Sequence, residues 1–282
     1  MKKKRFIIIL SLSFLLIIIF IISSPLFTLK SVDVVFLDEN NNIIQIKNNK
    51  VFNSNEKIEN ILLSANFKYG SSLFLLNKDN YKNNIENKNA YLKIIDVQSV
   101  FPNKLLLKAK ERKSLFYISS NEKCFVLDED FRILEIINTN DKMDNLIEIV
   151  IKDKNNNIVS FFNFFAISDK AFEIGQYLNE NNNVFKRLNN LNRIIKNFTI
   201  NFKDFVKFEI CEIKESKINL NIYTSTKNLG VLLTLENLIE NPDNKLIKLF
   251  NALETLLKKE KIKTSYGILK INDSLNCTWH NL

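Results

Sequence analysis

Phe6 to Phe27 is a run of 22 residues without a single charge, and Lys2, Lys3, Lys4 and Arg5 stand directly before it. As a helix rising ~1.5 Å per residue, the run measures ~33 Å, enough to cross a hydrocarbon core of ~30 Å. The basic flank resists transfer, so it keeps residues 1–5 in the cytoplasm and directs everything after about Thr28 outside. A cleaved signal peptide is the rival reading, but its apolar core is ~7–15 residues long and ends in small residues of the A-x-A kind. Neither condition holds here, and no cysteine stands nearby for a lipid anchor. The expectation is an uncleaved single-pass helix over residues 6–27, in contact with the bilayer of the cytoplasmic (inner) membrane.

The remainder has the means to bury real cores. Of 282 residues 46% are apolar and 25% charged, and the length suits about two domains. Glycine and proline are scarce at 4 and 3, so asparagine-rich stretches such as Asn155–Asn157 and Asn181–Asn183 supply the polar loops. The net charge of +9 lies partly in Lys2–Arg5 and is otherwise spread along the chain, without the dense basic stripe that nucleic-acid binding requires. Cys124, Cys211 and Cys277 are too few and too scattered for a disulfide framework, and core packing is their expected use.

Alternation in Leu29–Phe36 predicts a strand. In the helix that follows, Asn53 serves as cap, Glu56 as its capping-box partner, and Ile58, Ile61, Leu62 and Ala65 form one apolar stripe. A second, polar helix falls within Leu73–Asn89 and a second strand within Ala90–Val100. Phe101-Pro102-Asn103 breaks the run, since proline cannot serve inside a ladder and asparagine tolerates turns. In the third strand Leu105, Leu107 and Ala109 share the core face, while Lys104, Lys108, Lys110 and Arg112 share the wet face. Short strands then recur at Ser114–Ser120, Lys123–Asp128 and Arg132–Ile137 as an antiparallel meander, with helices at Ser168–Leu178 and Phe185–Phe198. Further strands follow at Val206–Ile213, Ile218–Tyr223 and Val231–Leu235. Asn241 and Pro242 open the clearest soluble helix, with Leu246, Phe250, Leu253 and Leu257 at helical spacing and Lys258, Lys259 and Lys261 at its negative end. Two strands joined at Asp273-Ser274 end the pattern, which is α+β throughout.

Three stretches resemble the FtsQ/DivIB family of bacterial cell-division proteins. Gly70 to Leu76 looks like the family's G-x-x-hydrophobic-F segment, and Cys124 to Leu134 like the strand pair around its D-x-x-G turn. Val97 to Arg112 resembles the signature V-x-V-x-R-x-W/F-P-N-x-L-x-I-x-V-x-E-R, with Pro102, Asn103, Leu105, Leu107, Glu111 and Arg112 in place. Ser265 to Trp279 is similar to the family's last two strands, begun by a tyrosine and ended by a tryptophan. Ser99, Ser114, Phe131 and Ile268 depart from the pattern, where the family has Arg, Pro, Gly and Asp. The resemblance implies a cytoplasmic tail (1–5), a transmembrane helix (6–27), a POTRA domain of order βααββ (28–113) and a β-domain (114–282) of mostly antiparallel strands with packed helices.

It also implies a divisome scaffold at the septum. Its partners would be coiled-coil membrane proteins of the FtsB/DivIC and FtsL types at the end of the β-domain, and an FtsK-like protein at the POTRA domain. The physical basis would be β-augmentation, in which a partner segment satisfies the bare N–H and C=O groups of an edge strand. Leu275, Asn276, Cys277, Thr278, Trp279 and His280 form that candidate strand, with Tyr266 and Lys270 on its neighbour. Leu275, Cys277 and Trp279 would point one way and Asn276, Thr278 and His280 the other. Catalysis is not expected: one histidine, no nucleophile elbow and no phosphate loop are present, and Asp128-Glu129-Asp130 reads as a turn. No cofactor or metal is expected either. The competing classes are a POTRA module of a secretion or assembly system and an anchored extracytoplasmic adaptor unrelated to division.

Overall fold

The computed structural model describes residues 2–44, 54–120, 123–138, 143, 145–160, 172–178, 183–188, 190–200, 202–214, 217–225, 230–258 and 266–281. The chain divides into two compact units, Met1–Arg112 and Lys113–Leu282.

The first unit begins with α1 (Lys2–Ser23) and a 3-10 turn at Pro25–Phe27 whose first free N–H, that of Leu26, is capped by the Ser24 hydroxyl. Side chains of α1 are described from Leu10, and Leu12, Phe14, Leu15, Leu16, Ile17, Ile19 and Phe20 are all exposed. From Leu10 to Ser23 the helix is ~21 Å long. Among the described residues no helix is long and apolar enough to cross a membrane. Strand β1 (Ser31–Leu37), helices α2 (Ser54–Ala65) and α3 (Lys78–Lys88), and strands β2 (Leu92–Val100) and β3 (Lys104–Glu111) complete the unit. The sheet order is β1-β3-β2, parallel between β1 and β3 and antiparallel between β3 and β2. Ile61 and Ala65 of α2, Ile85 of α3, and Leu105, Leu107 and Ala109 of β3 are sealed in one core, the alternation of β3 putting its lysines outside. Asn53 and the Glu56 side chain lie outside the described residues.

Arg112 does not share the wet face with those lysines. Its side chain is 2% exposed, its Nε donates to the Leu92 carbonyl at 3.1 Å, and its Nη2 stands 3.4 Å from Glu86 Oε2. Glu86 Oε1 in turn accepts the Ile94 N–H at 2.7 Å, so the pair ties α3 to β2 at the end of β3. Position 112 lies one residue past β3, where the strand's alternation no longer decides which way a side chain turns.

The second unit carries β4 (Phe116–Ser120), β5 (Lys123–Leu127), β6 (Ile133–Asn138), β7 (Ile147–Lys152), α4 (Asn183–Leu188), α5 (Leu191–Ile195), β8 (Phe205–Lys214), β9 (Lys217–Thr224), β10 (Val231–Leu235), α6 (Pro242–Lys258), β11 (Gly267–Ile271) and β12 (Cys277–Asn281). They form a nine-stranded sheet in the order β12-β11-β10-β9-β8-β7-β4-β5-β6. Its β4-β7, β7-β8 and β10-β11 contacts are parallel and the others antiparallel. The three helices bury Phe185, Leu191, Ile194, Leu246, Leu249, Phe250 and Leu253 against one face of it.

Among the described residues a single five-residue turn is used four times, at Asp38–Asn42, Asp128–Arg132, Asp153–Asn157 and Asn272–Asn276. In each, the first residue's N–H donates to the fifth carbonyl and its own carbonyl accepts the fourth N–H. Its side-chain oxygen accepts the fifth N–H. The fourth residue adopts a left-handed backbone, Asn41 at φ 64°, Phe131 at 60°, Asn156 at 65° and Leu275 at 61°. For a bulky residue this costs ~1–2 kcal/mol. Phe131 offsets it by complete burial, with its ring stacked 5.1 Å from Phe116. The carboxylate of Asp128 accepts the N–H groups of Asp130 and Arg132 within its own turn.

Two helical expectations fail. Phe172–Leu178, the described part of the first, is not helical: Gly175 has φ 94°, and apart from one turn bond from the Gln176 N–H to the Glu173 carbonyl the segment's backbone pairs with Phe131 and Ile133. The second breaks into α4 and α5, and the Asn190 amide beside the break donates to Asp243 of α6 at 2.7 Å. Strand β7 was not anticipated, although Ile147, Ile149 and Ile151 alternate and are buried. Lys259, Lys261 and Asn181 lie outside the described residues.

Removing one partner of the buried ion pair leaves the other charge uncompensated, a loss of about 3–5 kcal/mol. Glu86→Ala is expected to lower stability by that amount in a urea titration of the detergent-solubilised chain, while Glu86→Leu with Arg112→Met costs much less.

Candidate functional site

Strand β12 lies at one end of the nine-stranded sheet, and among the described residues no strand pairs with its far side. The pairing registers align side chains in rows across five strands. Trp279, Leu269, Leu233, Ile222 and Phe208 form one inward row, and Cys277, Ile271, Leu235, Leu220 and Ile210 another. Outward rows run from Thr278 through Lys270, Thr234 and Asn221 to Glu209, and from His280 through Ile268, Leu232 and Tyr223 to Lys207. Thr278 and His280 are exposed, while Trp279 is half-buried against the core. The inner end of this outward surface is a charge cluster. Glu209 accepts from Lys152 at 3.1 Å, Lys207 at 2.7 Å and the Tyr223 hydroxyl at 2.7 Å. Burial pushes the Glu209 carboxyl up, but those three donors together outweigh it and hold the group below its ordinary value.

Two devices fix the terminal hairpin. The first is Lys245 of α6, 2% exposed at its side chain, whose ammonium donates to the carbonyls of Glu236 (2.8 Å) and Asn237 (3.0 Å) and to Asp273 Oδ1 (2.8 Å). All three of its donors are used, which is what allows a cation to be buried here. Asp273 belongs to the β11-β12 turn, so the helix grips the hairpin directly. The hydrogen bond from Lys245 is the largest cause of the lowered Asp273 pKa, with Lys217 at 3.7 Å adding to it. The second device is a pair of glycines under aromatic rings. A Cβ on Gly267 would collide with the Trp279 indole and come 2.7 Å from the His280 carbonyl; one on Gly230, at φ 63°, would come 2.8 Å from the Tyr266 ring. The indole N–H donates to Asn281 Oδ1 at 2.6 Å.

Of the residues singled out in the sequence, Cys277, Thr278, Trp279 and His280 lie in β12, and Lys270 on β11 is ion-paired to Glu236 at 2.5 Å. Tyr266 precedes β11 and is 59% exposed. Leu275 and Asn276 are in the turn, not the strand, because the left-handed residue at 275 reverses the chain before pairing starts. Cys277 is exposed rather than packed in a core, being on the outermost strand, its Sγ 3.8 Å from the Lys248 carbonyl; Cys124 and Cys211 are buried. Sequence reasoning missed Lys245, Asp273 and Gly267. A lysine one position from Leu246 on the helix's apolar side was the available signal for the first.

Trp279 is the chain's one tryptophan, so intrinsic fluorescence reports on this hairpin alone. Gly267→Ala is expected to shift its emission to the red and to destabilise the hairpin by about 1–3 kcal/mol. Because the Asp273 pKa is lowered in the fold, the stability that it contributes is present above its unfolded value, ~3.9, and is lost as pH falls below that. The protection of β11 and β12 against hydrogen exchange, relative to the intrinsic rate at each pH, is expected to fall below about pH 4 in the parent, and Asp273→Asn to remove that dependence.

No protein-family model matches the chain. Among curated proteins, the cell division protein DivIB of Clostridium tetani is 29% identical over 222 residues, covering 78% of this chain and 71% of that protein. Cell division protein DivIB of Clostridium acetobutylicum is 36% identical over 93 residues, covering 33% and 35%. These two relatives bear out the resemblance to the FtsQ/DivIB family of cell-division proteins.

Proposed function

We propose that this chain is a septal membrane scaffold that captures extracytoplasmic division proteins by β-augmentation on β12. Residues 6–27 cross the bilayer, 28–113 form a POTRA domain, and 114–282 form the β-domain that carries the capture strand. The observation that carries the reading is the position of β12: an outermost strand held in place by Lys245 and by Trp279 over Gly267, with its far-side backbone unpaired among the described residues. Main-chain hydrogen bonds would supply affinity, and the outward side chains Thr278 and His280, with Lys270 behind them, would supply register. The family resemblance supports FtsB/DivIC-like and FtsL-like coiled-coil proteins as the captured partners, and an FtsK-like protein at the POTRA domain.

A photoreactive residue at Thr278 is expected to cross-link a small coiled-coil membrane protein in dividing cells, whereas one at exposed Ser119 on β4, six strands away, catches none. Equal yields at the two positions, or diffuse label without a midcell band from a fluorescent fusion, would remove this reading.

A further inference from the structure

Three segments of the first unit meet just beyond α1. The Leu73 N–H donates to the Phe27 carbonyl at 2.8 Å, the Leu29 N–H to Ser71 at 2.9 Å, and the Lys30 N–H to Asn103 at 2.8 Å. This brings together the rings of Phe27, Phe74 and Phe101, with centroids 5.5 Å apart for Phe27–Phe74, 5.9 Å for Phe27–Phe101 and 5.1 Å for Phe74–Phe101. The cluster is not a core. Phe74 is 45% exposed and Phe101 52%, and the adjoining Leu26 and Leu75 are 65% and 73% exposed. Singly exposed apolar residues need no explanation, but a contiguous patch at loop and hairpin tips, normally polar, does.

We infer that this patch is a membrane-contact surface, seated in the interfacial layer of the bilayer beside the anchor helix. The inference rests on the proposal that residues 6–27 span the membrane. Continuity selects lipid over a protein partner. Phe27 follows Ser23, the end of α1, by four residues, of which Ser24 is extended and Pro25–Phe27 form a 3-10 turn rising ~2 Å per residue, so Phe27 lies about 10 Å or less from the helix end. The layer between hydrocarbon and water is itself ~5–8 Å deep. With residues 6–27 spanning, Phe27 is itself the last residue of the span, which brings the aromatic cluster to that layer. Aromatic rings at this depth gain apolar contact that water denies them. The three tethered segments would then give the unit a fixed seating on the membrane, where a single helix alone leaves it free to tilt.

The test uses the full chain with Trp279→Phe, so that an introduced tryptophan is the sole emitter, reconstituted in phosphatidylcholine/phosphatidylglycerol vesicles with or without acyl chains brominated near the headgroup. Phe101→Trp is expected to lose about half its emission in brominated vesicles and to resist aqueous iodide. Leu75→Trp repeats the reading at a site too exposed for packing to be lost, and Phe20→Trp reports on the anchor helix itself. Tryptophans at 101 and 75 that are open to iodide and blind to bromine, with Phe20→Trp quenched, would overturn the surface while leaving the span. Insensitivity at all three positions would overturn both. Shielding from iodide without bromine quenching would mean that a second copy of the chain covers the patch, which also overturns the inference.

Discussion

The end of the large sheet depends on a buried ammonium group with no donor to spare. Lys245 sits where helix α6 crosses the last strands, and its three acceptors come from the β10-α6 connection and from the β11-β12 turn. A cation in that position is tolerable only while every acceptor stays in reach, because a lost partner strands a charge away from water. The lysine thus converts the expense of burying a charge into a geometric requirement: helix, connection and turn must keep their places together. An outermost strand needs such a requirement more than an inner one does, since among the described residues β12 has a strand on one side only and is five residues long.

The aromatic-over-glycine contacts work in the same direction by shape. A bare Cα at Gly267 lets the indole lie flat across β11, so Trp279 is packed on the inward side while its own strand stays at the margin. Tyr266 over Gly230 repeats the arrangement one row further along. Both rings occupy positions where a side chain on the neighbouring strand would otherwise stand. Adding a methyl group there is therefore a change in the seating of the strand as well as in its packing.

The alternating strands, the helix at Pro242 and the hairpin around Pro102 were legible in the sequence because each rests on local periodicity or on one residue's backbone limits. What stayed hidden depends on partners far away in the chain. Arg112 belongs with the lysines by alternation and leaves them because Glu86, 26 residues earlier, is within reach. The segment at Phe172 has a helical composition and pairs with β6 instead, a choice that Gly175 alone hinted at. The recurring turn was half-legible: Asp or Asn opens it each time, but the left-handed Phe131 and Leu275 contradict local preference and are held by burial of the ring and partial burial of the leucine. In the candidate site the strand was legible from its alternation, whereas its start was misplaced by two residues for this same reason.

An edge strand that captures another chain meets a problem of selectivity. Backbone groups are the same in every polypeptide, so a bare ladder offers affinity to any extended segment and discriminates among none. Discrimination has to come from side chains that the incoming strand must pass. On the inward side Trp279 is already engaged with Gly267 and the core, which leaves little room for a visitor there. On the outward side Thr278 and His280 are exposed, and Lys270 is committed to Glu236 directly behind Thr278. Under the proposed capture a visitor would be read mainly on one face, through alternate residues, against a surface of mixed charge and small size. Such a face would favour an amphipathic strand with small or acidic outward residues over one that pressed a large basic group against Lys270.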